Sequence, residues 1–119
     1  MRIVPWLIFV GCAGDSLSFE ADIQPEFDVH CVSCHNPNLA ESDLDLMTDP
    51  YEALVEQAAV QSDYLLVSPK NPLESYLWHK LNGTQSLAGG AGTRMPLDDA
   101  FQQDLTDLVE DWINDGAKP

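Results

Sequence analysis

Two cysteines three positions apart, followed at once by a histidine, stand in Cys31-Val32-Ser33-Cys34-His35. At the end of a helix, two thiols at this spacing can add across the two vinyl groups on one edge of a porphyrin. The adjacent histidine then lies beneath the ring, where its imidazole can be the proximal iron ligand of a covalently attached haem c. Simpler readings compete. A thioredoxin-like pair also uses C-x-x-C, but it needs a preceding strand and a βαβ context that this chain does not offer. A zinc site on the same three residues would strain one tetrahedron, because Cys34 and His35 are adjacent, and there is no second C-x-x-C. A disulfide would have to close an unusually tight turn. Haem attachment employs all three residues at once.

A haem iron held by one histidine has a second axial position, and Met95 is the predicted donor. It stands in Gly89-Gly90-Ala91-Gly92-Thr93-Arg94-Met95-Pro96, 60 residues after His35. That is enough chain to pass around the ring to its other face. The glycines let the backbone run close to a flat cofactor, and Pro96 fixes the exit direction. A methionine on such a loop is poorly placed for core packing, and thioether ligation would raise the reduction potential relative to a second imidazole. His79 is the rival: on a helix it either ligates the iron or sits beside the pocket, bonded to a propionate or the backbone. Met47, near the Leu44/Leu46 alternation, reads as packing, and His30 as surface or structural. Tyr76, Trp78 and Trp112 are candidates for the pocket wall, with plain core packing the alternative, most of all at Trp112. Arg94 would either pair with a propionate or stand solvated at the surface.

The N-terminus supplies a different chemistry. Met1-Arg2 precedes the apolar run Ile3 to Val10, then Gly11 and Cys12. The run is too short to span a bilayer as a helix, which needs about 20 residues. It resembles a bacterial lipoprotein signal peptide, although the position three before the cysteine, usually leucine, is Phe9. The resemblance implies cleavage after residue 11, lipidation of Cys12 and residence on the periplasmic side of a bacterial membrane; an ordinary export signal or a buried N-terminal strand is the alternative. Cleavage would remove Arg2 and leave the mature chain one charge more negative.

These residues need a scaffold, and 119 residues, 45% hydrophobic, allow one core. A chain this short buries only about two-thirds of its unfolded surface, so reinforcement by a large apolar group would matter. Twenty acidic against five basic residues give a net charge of −15. That excludes nucleic acid as a partner, which requires clustered cations, and leaves either a solvated surface or steering toward a basic partner.

The pattern predicts an all-α fold. Residues 12–20 read as a flexible spacer and 21–119 as the domain. A first helix from Ile23 to about Val32, with Pro25 in its first turn, delivers the haem motif. A short second helix spans Tyr51 to Gln57, after the start signal Asp49-Pro50. The third has Asn71 as N-cap, Pro72 and Glu74 in its first turn, and Gly83 beyond its end at Leu81. The last runs from about Asp99 to Asp115, with Phe101, Leu105, Leu108, Val109, Trp112 and Ile113 as its apolar stripe and Gly116 as its stop. Leu65-Leu66-Val67 is a brief extended segment.

In this order, the motifs resemble the small class I cytochromes c, and more closely the exported planctomycete-type cytochrome c domain of planctomycetes and myxobacteria. The resemblance is carried by Ile23-Gln24-Pro25 with Cys31 to His35, and by Tyr51-Glu52-Ala53-Leu54-Val55. Further along it is carried by Val67 to Pro72 with Ser75-Tyr76-Leu77, by Arg94-Met95-Pro96, and by Asp111-Trp112-Ile113 with Gly116-Ala117. The family often has Gly where this chain has Lys70. What the resemblance implies is a small cytochrome c-like fold of about four helices around one covalent haem, with His35 proximal and Met95 distal. It also implies a single-electron carrier rather than an enzyme, exchanging electrons with redox proteins. The alternative class is a haem-stabilised binding or sensor module without an electron-transfer role.

Overall fold

The computed structural model describes residues 16–97 and 100–119. Helical turns with no β-strand among these residues make the protein all-α. The chain enters through a π-helical turn, Phe19–Ile23, capped by the Ser18 hydroxyl, which accepts from the Ala21 N–H at 3.0 Å. Helix α1, Gln24–His30, follows directly, with Pro25 in its first turn. The apolar residues Phe19, Ile23 and Phe27 are four apart, and all three are buried.

The packed chain therefore begins earlier than the predicted spacer boundary at residue 20. Phe19 stacks edge-on against Phe27 and Tyr51 and lies 5.4 Å from the Trp112 ring. The Leu17 N–H donates to Asp115 and the Phe19 N–H to the Lys118 carbonyl, so residues 17–20 are tied to the C-terminal end of the fold. The expected signal peptide, residues 1–11, and the expected lipidation site, Cys12, lie outside the described residues.

Helix α2 is Pro50–Leu54, shorter than predicted because Val55 turns extended and pairs with Val67. The predicted third helix is broken in two. A 3-10 turn, Pro72–Glu74, is separated from α3, Tyr76–Asn82, by Ser75 in an extended conformation. Ser75 is fully buried; its hydroxyl binds the Asn71 carbonyl at 2.8 Å and accepts from the Ser68 N–H at 2.8 Å, while its backbone bridges to Leu65. Asn71 does not act as a side-chain cap, since its amide turns back to the Pro69 carbonyl. Leu65 and Val67 form isolated bridges, as the extended reading of 65–67 expects.

Helix α4, Gln103–Asn114, starts later than the sequence pattern suggests. Phe101 precedes it and is exposed, with the Arg94 guanidinium 5.7 Å from its ring centre. Leu105, Val109, Trp112 and Ile113 are buried on the inner face. The helix ends in a Schellman motif: Ala117 N–H donates to the Trp112 carbonyl and Gly116 N–H to that of Ile113. Gly116, at φ 110°, supplies the conformation that motif requires. Helix α4 packs on α3 and on the π-helical turn, closing the core around Phe27, Leu54, Val67 and Trp112. No helix among the described residues is long and apolar enough to cross a membrane.

Candidate functional site

Helix α1 ends at His30, and Cys31 is its C-cap. The motif that follows is a tight turn, with Cys34 N–H and His35 N–H both donating to the Cys31 carbonyl, at 3.2 and 3.0 Å. Asn36 locks it: its amide donates to the Val32 and Ser33 carbonyls, and its side-chain oxygen accepts from the Asn38 and Leu39 N–H groups. His35 is then clamped by the segment 44–46. Its carbonyl accepts from the Leu46 N–H at 2.8 Å, and its ring Nδ1 lies 3.2 Å from the Leu44 carbonyl. A carbonyl can only accept, so Nδ1 carries a proton. Nε2 makes no hydrogen bond to the described residues. An imidazole fixed in this way through its other nitrogen is oriented as a metal ligand is.

Cys31 and Cys34 are both free thiols. Cys31 is half-buried against the core, and burial pushes its thiol up to about 12. That is the opposite of the lowered value a thioredoxin-like nucleophile needs. No three His, Cys, Asp or Glu side chains among the described residues gather to hold a metal ion, as a zinc site on this motif would require. Haem ligation asks for less, one imidazole and one thioether from the chain.

Met95 is half-buried and packs against the same core as Cys31, Leu44 and Trp78. Its N–H donates to the Lys80 carbonyl at 2.8 Å. The glycine-rich loop before it is shaped by α3 and the 3-10 turn Gln85–Ala88. Gln85 donates to the Gly92 carbonyl at 2.9 Å and accepts from the Gly90 N–H at 2.8 Å. Lys80 donates to the Thr93 carbonyl at 2.7 Å and the Ala91 carbonyl at 3.3 Å, and burial lowers its pKa. A methyl group on Gly90 would overlap the buried Tyr76 hydroxyl, so the close approach there requires glycine.

The other sequence candidates fall into distinct places. His79 is buried with both ring nitrogens engaged: Nε2–H donates to the Leu73 carbonyl and Nδ1 accepts from the Thr84 hydroxyl, each at 2.8 Å. No nitrogen is left for a metal, and the residue is structural. Trp112 is a core residue, its indole N–H donating to the Lys118 carbonyl. Tyr76 is buried, with its hydroxyl donating to Gln61. Trp78 is half-buried and donates to Glu110 at 2.8 Å. His30 lies 3.7 Å from Glu26 on the same helix. Met47 departs from its packing assignment: it is 58% exposed, because Leu46 takes the inward place and Asp45 turns the chain outward by accepting from the Met47 and Thr48 N–H groups.

Two residues of the site were not foreseen from the sequence. Leu44 contributes only its carbonyl, which no side-chain pattern reports. Lys80 is one of five basic residues in an acidic chain, and that scarcity was the one available sign. Two surface concavities, of about 520 and 340 Å³, lie elsewhere, near Glu52 and Glu56 and beside the C-terminus; neither is lined by Cys31, Cys34, His35 or Met95. No family model, curated protein or solved structure matches this chain. The donor set nevertheless has the chemistry a covalent haem needs: two free thiols on one turn, an imidazole with Nε2 open, and a thioether held at the core edge.

Proposed function

We propose that the protein is a c-type cytochrome that carries single electrons, with haem joined to Cys31 and Cys34 and its iron held by His35 and Met95. The observation that supports this most is the His35 ring, whose Nδ1–H is committed to the Leu44 carbonyl immediately after the two thiols. The left-handed backbone at Lys70 also favours the family resemblance. Its φ is 71°, a conformation that favours glycine, and this is where the planctomycete-type domain often has Gly.

When bound, haem supplies one-electron chemistry. His35 and Met95 would both bind the iron, leaving no place for oxygen or peroxide, so the reading is a carrier and not an enzyme. Leu44 orients the His35 imidazole by accepting from its Nδ1–H. Thioether ligation by Met95 would bias the couple toward a higher potential. Haem burial would add apolar area to a short chain that has little to spare.

Export and lipidation at Cys12 complete the proposal, placing the carrier on the periplasmic side of a bacterial membrane. The test is expression with a cytochrome c maturation system, followed by a pyridine haemochrome assay and an intact mass. One covalent haem and a six-coordinate low-spin spectrum with a far-red Met–iron charge-transfer band are expected. A colourless product with the mass of the bare chain plus lipid would refute the haem. Five-coordinate iron that binds carbon monoxide at rest would favour the sensor alternative. Cys12→Ala should release the protein from membranes, and continued sedimentation with them would remove the anchor.

A further inference from the structure

The loop that presents Met95 has little shape of its own. Three of the four residues from 89 to 92 are glycine, and glycine imposes no backbone preference. Its path must be set from outside, and the contacts divide the work. Tyr76 and Gln85 hold the front of the loop, at Gly90 to Gly92. Among the described residues, Lys80 bonds the backbone at the end that carries the thioether, while Gly83 and Phe101 lie against the Arg94 side chain. The Lys80 ammonium donates to the Thr93 carbonyl at 2.7 Å and the Ala91 carbonyl at 3.3 Å, and its own carbonyl accepts from the Met95 N–H at 2.8 Å. In a chain with 20 carboxylates, this half-buried cation pairs with none among the described residues and is spent on backbone oxygens. Bonds from an ionised donor are shorter and stronger than neutral ones, which suits a clamp on a loop of glycines.

We propose that Lys80 is the positioning residue for the distal ligand, its ammonium and its carbonyl together holding the Met95 end of the loop against α3. The proposal rests on the reading of Met95 as an iron ligand. It predicts that the side chain of Lys80 governs how firmly the thioether stays on the iron, while covalent attachment through Cys31 and Cys34 does not depend on it.

The test uses the matured, full-length protein and the variants Lys80→Met, which keeps the apolar stem, and Lys80→Arg, which keeps a cation. In Lys80→Met the haemochrome yield per chain should equal that of the parent. The Met–iron band should weaken, the potential should fall, and the apparent affinity of ferric iron for added imidazole should rise about tenfold, as loss of a charge-assisted bond implies. Lys80→Arg should recover most of each change. Amide hydrogen exchange separates a clamp from a general stabiliser. Faster exchange confined to residues 90–95 supports the proposal, whereas equal loss of protection in α4 overturns it. A Lys80→Met protein with the parent's band and imidazole affinity also overturns it while leaving the cytochrome reading intact. A parent without haem, or with haem but no Met–iron band, removes both together.

Discussion

Histidine at positions 35 and 79 carries the same ring into opposite employment, and backbone carbonyls decide which. At His35 one nitrogen is fixed by Leu44 and the other makes no bond to the described residues; at His79 both are used, by Leu73 and Thr84. The variants Met95→Ala and His79→Phe should therefore separate cleanly. The first should lose the Met–iron band and lower the potential while the fold persists. The second should keep the band but destabilise the fold by about 2 kcal/mol, because the Leu73 carbonyl and Thr84 hydroxyl lose their buried partner. Loss of the band in His79→Phe alone would reverse the assignment of the two side chains. Cys31 provides a pH test. Burial holds its folded thiol at about 12, above the ordinary 9.0. Below pH 9.0 both folded and unfolded chains keep the proton and the stabilisation is complete; as pH climbs toward 12 the unfolded chain releases it first, and stability falls. The unmatured chain should show that alkaline decline in urea midpoints, and its Cys31→Ala variant should show a smaller one that begins at higher pH, because burial also raises Tyr51 and Tyr76. The matured protein should lack the Cys31 part too, because a thioether sulfur has no proton to lose. At this scale the thiols, His35 and Met95 were legible from type and spacing. What fixed His35 was not, since a carbonyl oxygen is common to every residue.

Among the elements, the last helix was the easiest to foresee and the third the hardest, and the difference is physical. Leu105, Val109, Trp112 and Ile113 repeat with helical period over a 12-residue span, so the buried face of α4 follows from pattern alone. Its start was misplaced because Phe101 continues that period but lies outside the helix, under the Arg94 guanidinium. The segment 71–81 has good helix signals throughout, yet Ser75 breaks it by giving its hydroxyl and backbone to residues 65, 68 and 71, contacts that no local propensity contains. The same region offers a stability test. Lys70 sits at φ 71° and is pinned there by its N–H bond to the Ile113 carbonyl at 2.8 Å. A side chain in this conformation costs roughly 1–2 kcal/mol, while glycine adds about 0.5–1 kcal/mol of unfolded-chain entropy. Lys70→Gly should thus raise the urea midpoint by the equivalent of up to about 1 kcal/mol, with an unchanged slope. A lowered midpoint would mean that the lysine side chain contributes more than its backbone costs.

Across the whole molecule the charge is unevenly spread along the chain. From residue 3 to residue 69 there are 12 acidic residues and no lysine or arginine; from 70 to 119 there are eight acidic and four basic. Two of those four, Lys80 and Arg94, lie at the Met95 loop, and Lys70 and Lys118 both approach Gly116 at the end of α4. The part that carries Cys31, Cys34 and His35 is thus purely acidic. A field of this kind concentrates cations and repels anions, and it fades as the screening length falls from about 30 Å at 0.01 M salt to about 10 Å at 0.1 M. If electrons leave near the thiol motif, the reduced protein should be oxidised by a small cationic complex such as hexaammineruthenium(III) at a rate that falls as salt is added. Its oxidation by anionic ferricyanide should instead quicken under the same titration. Opposite signs of slope identify the acidic part as the route of electron exchange and a basic surface as the complementary partner. Slopes of the same sign, or none, would place the exchange away from the acidic part and remove the basic surface as the complementary partner.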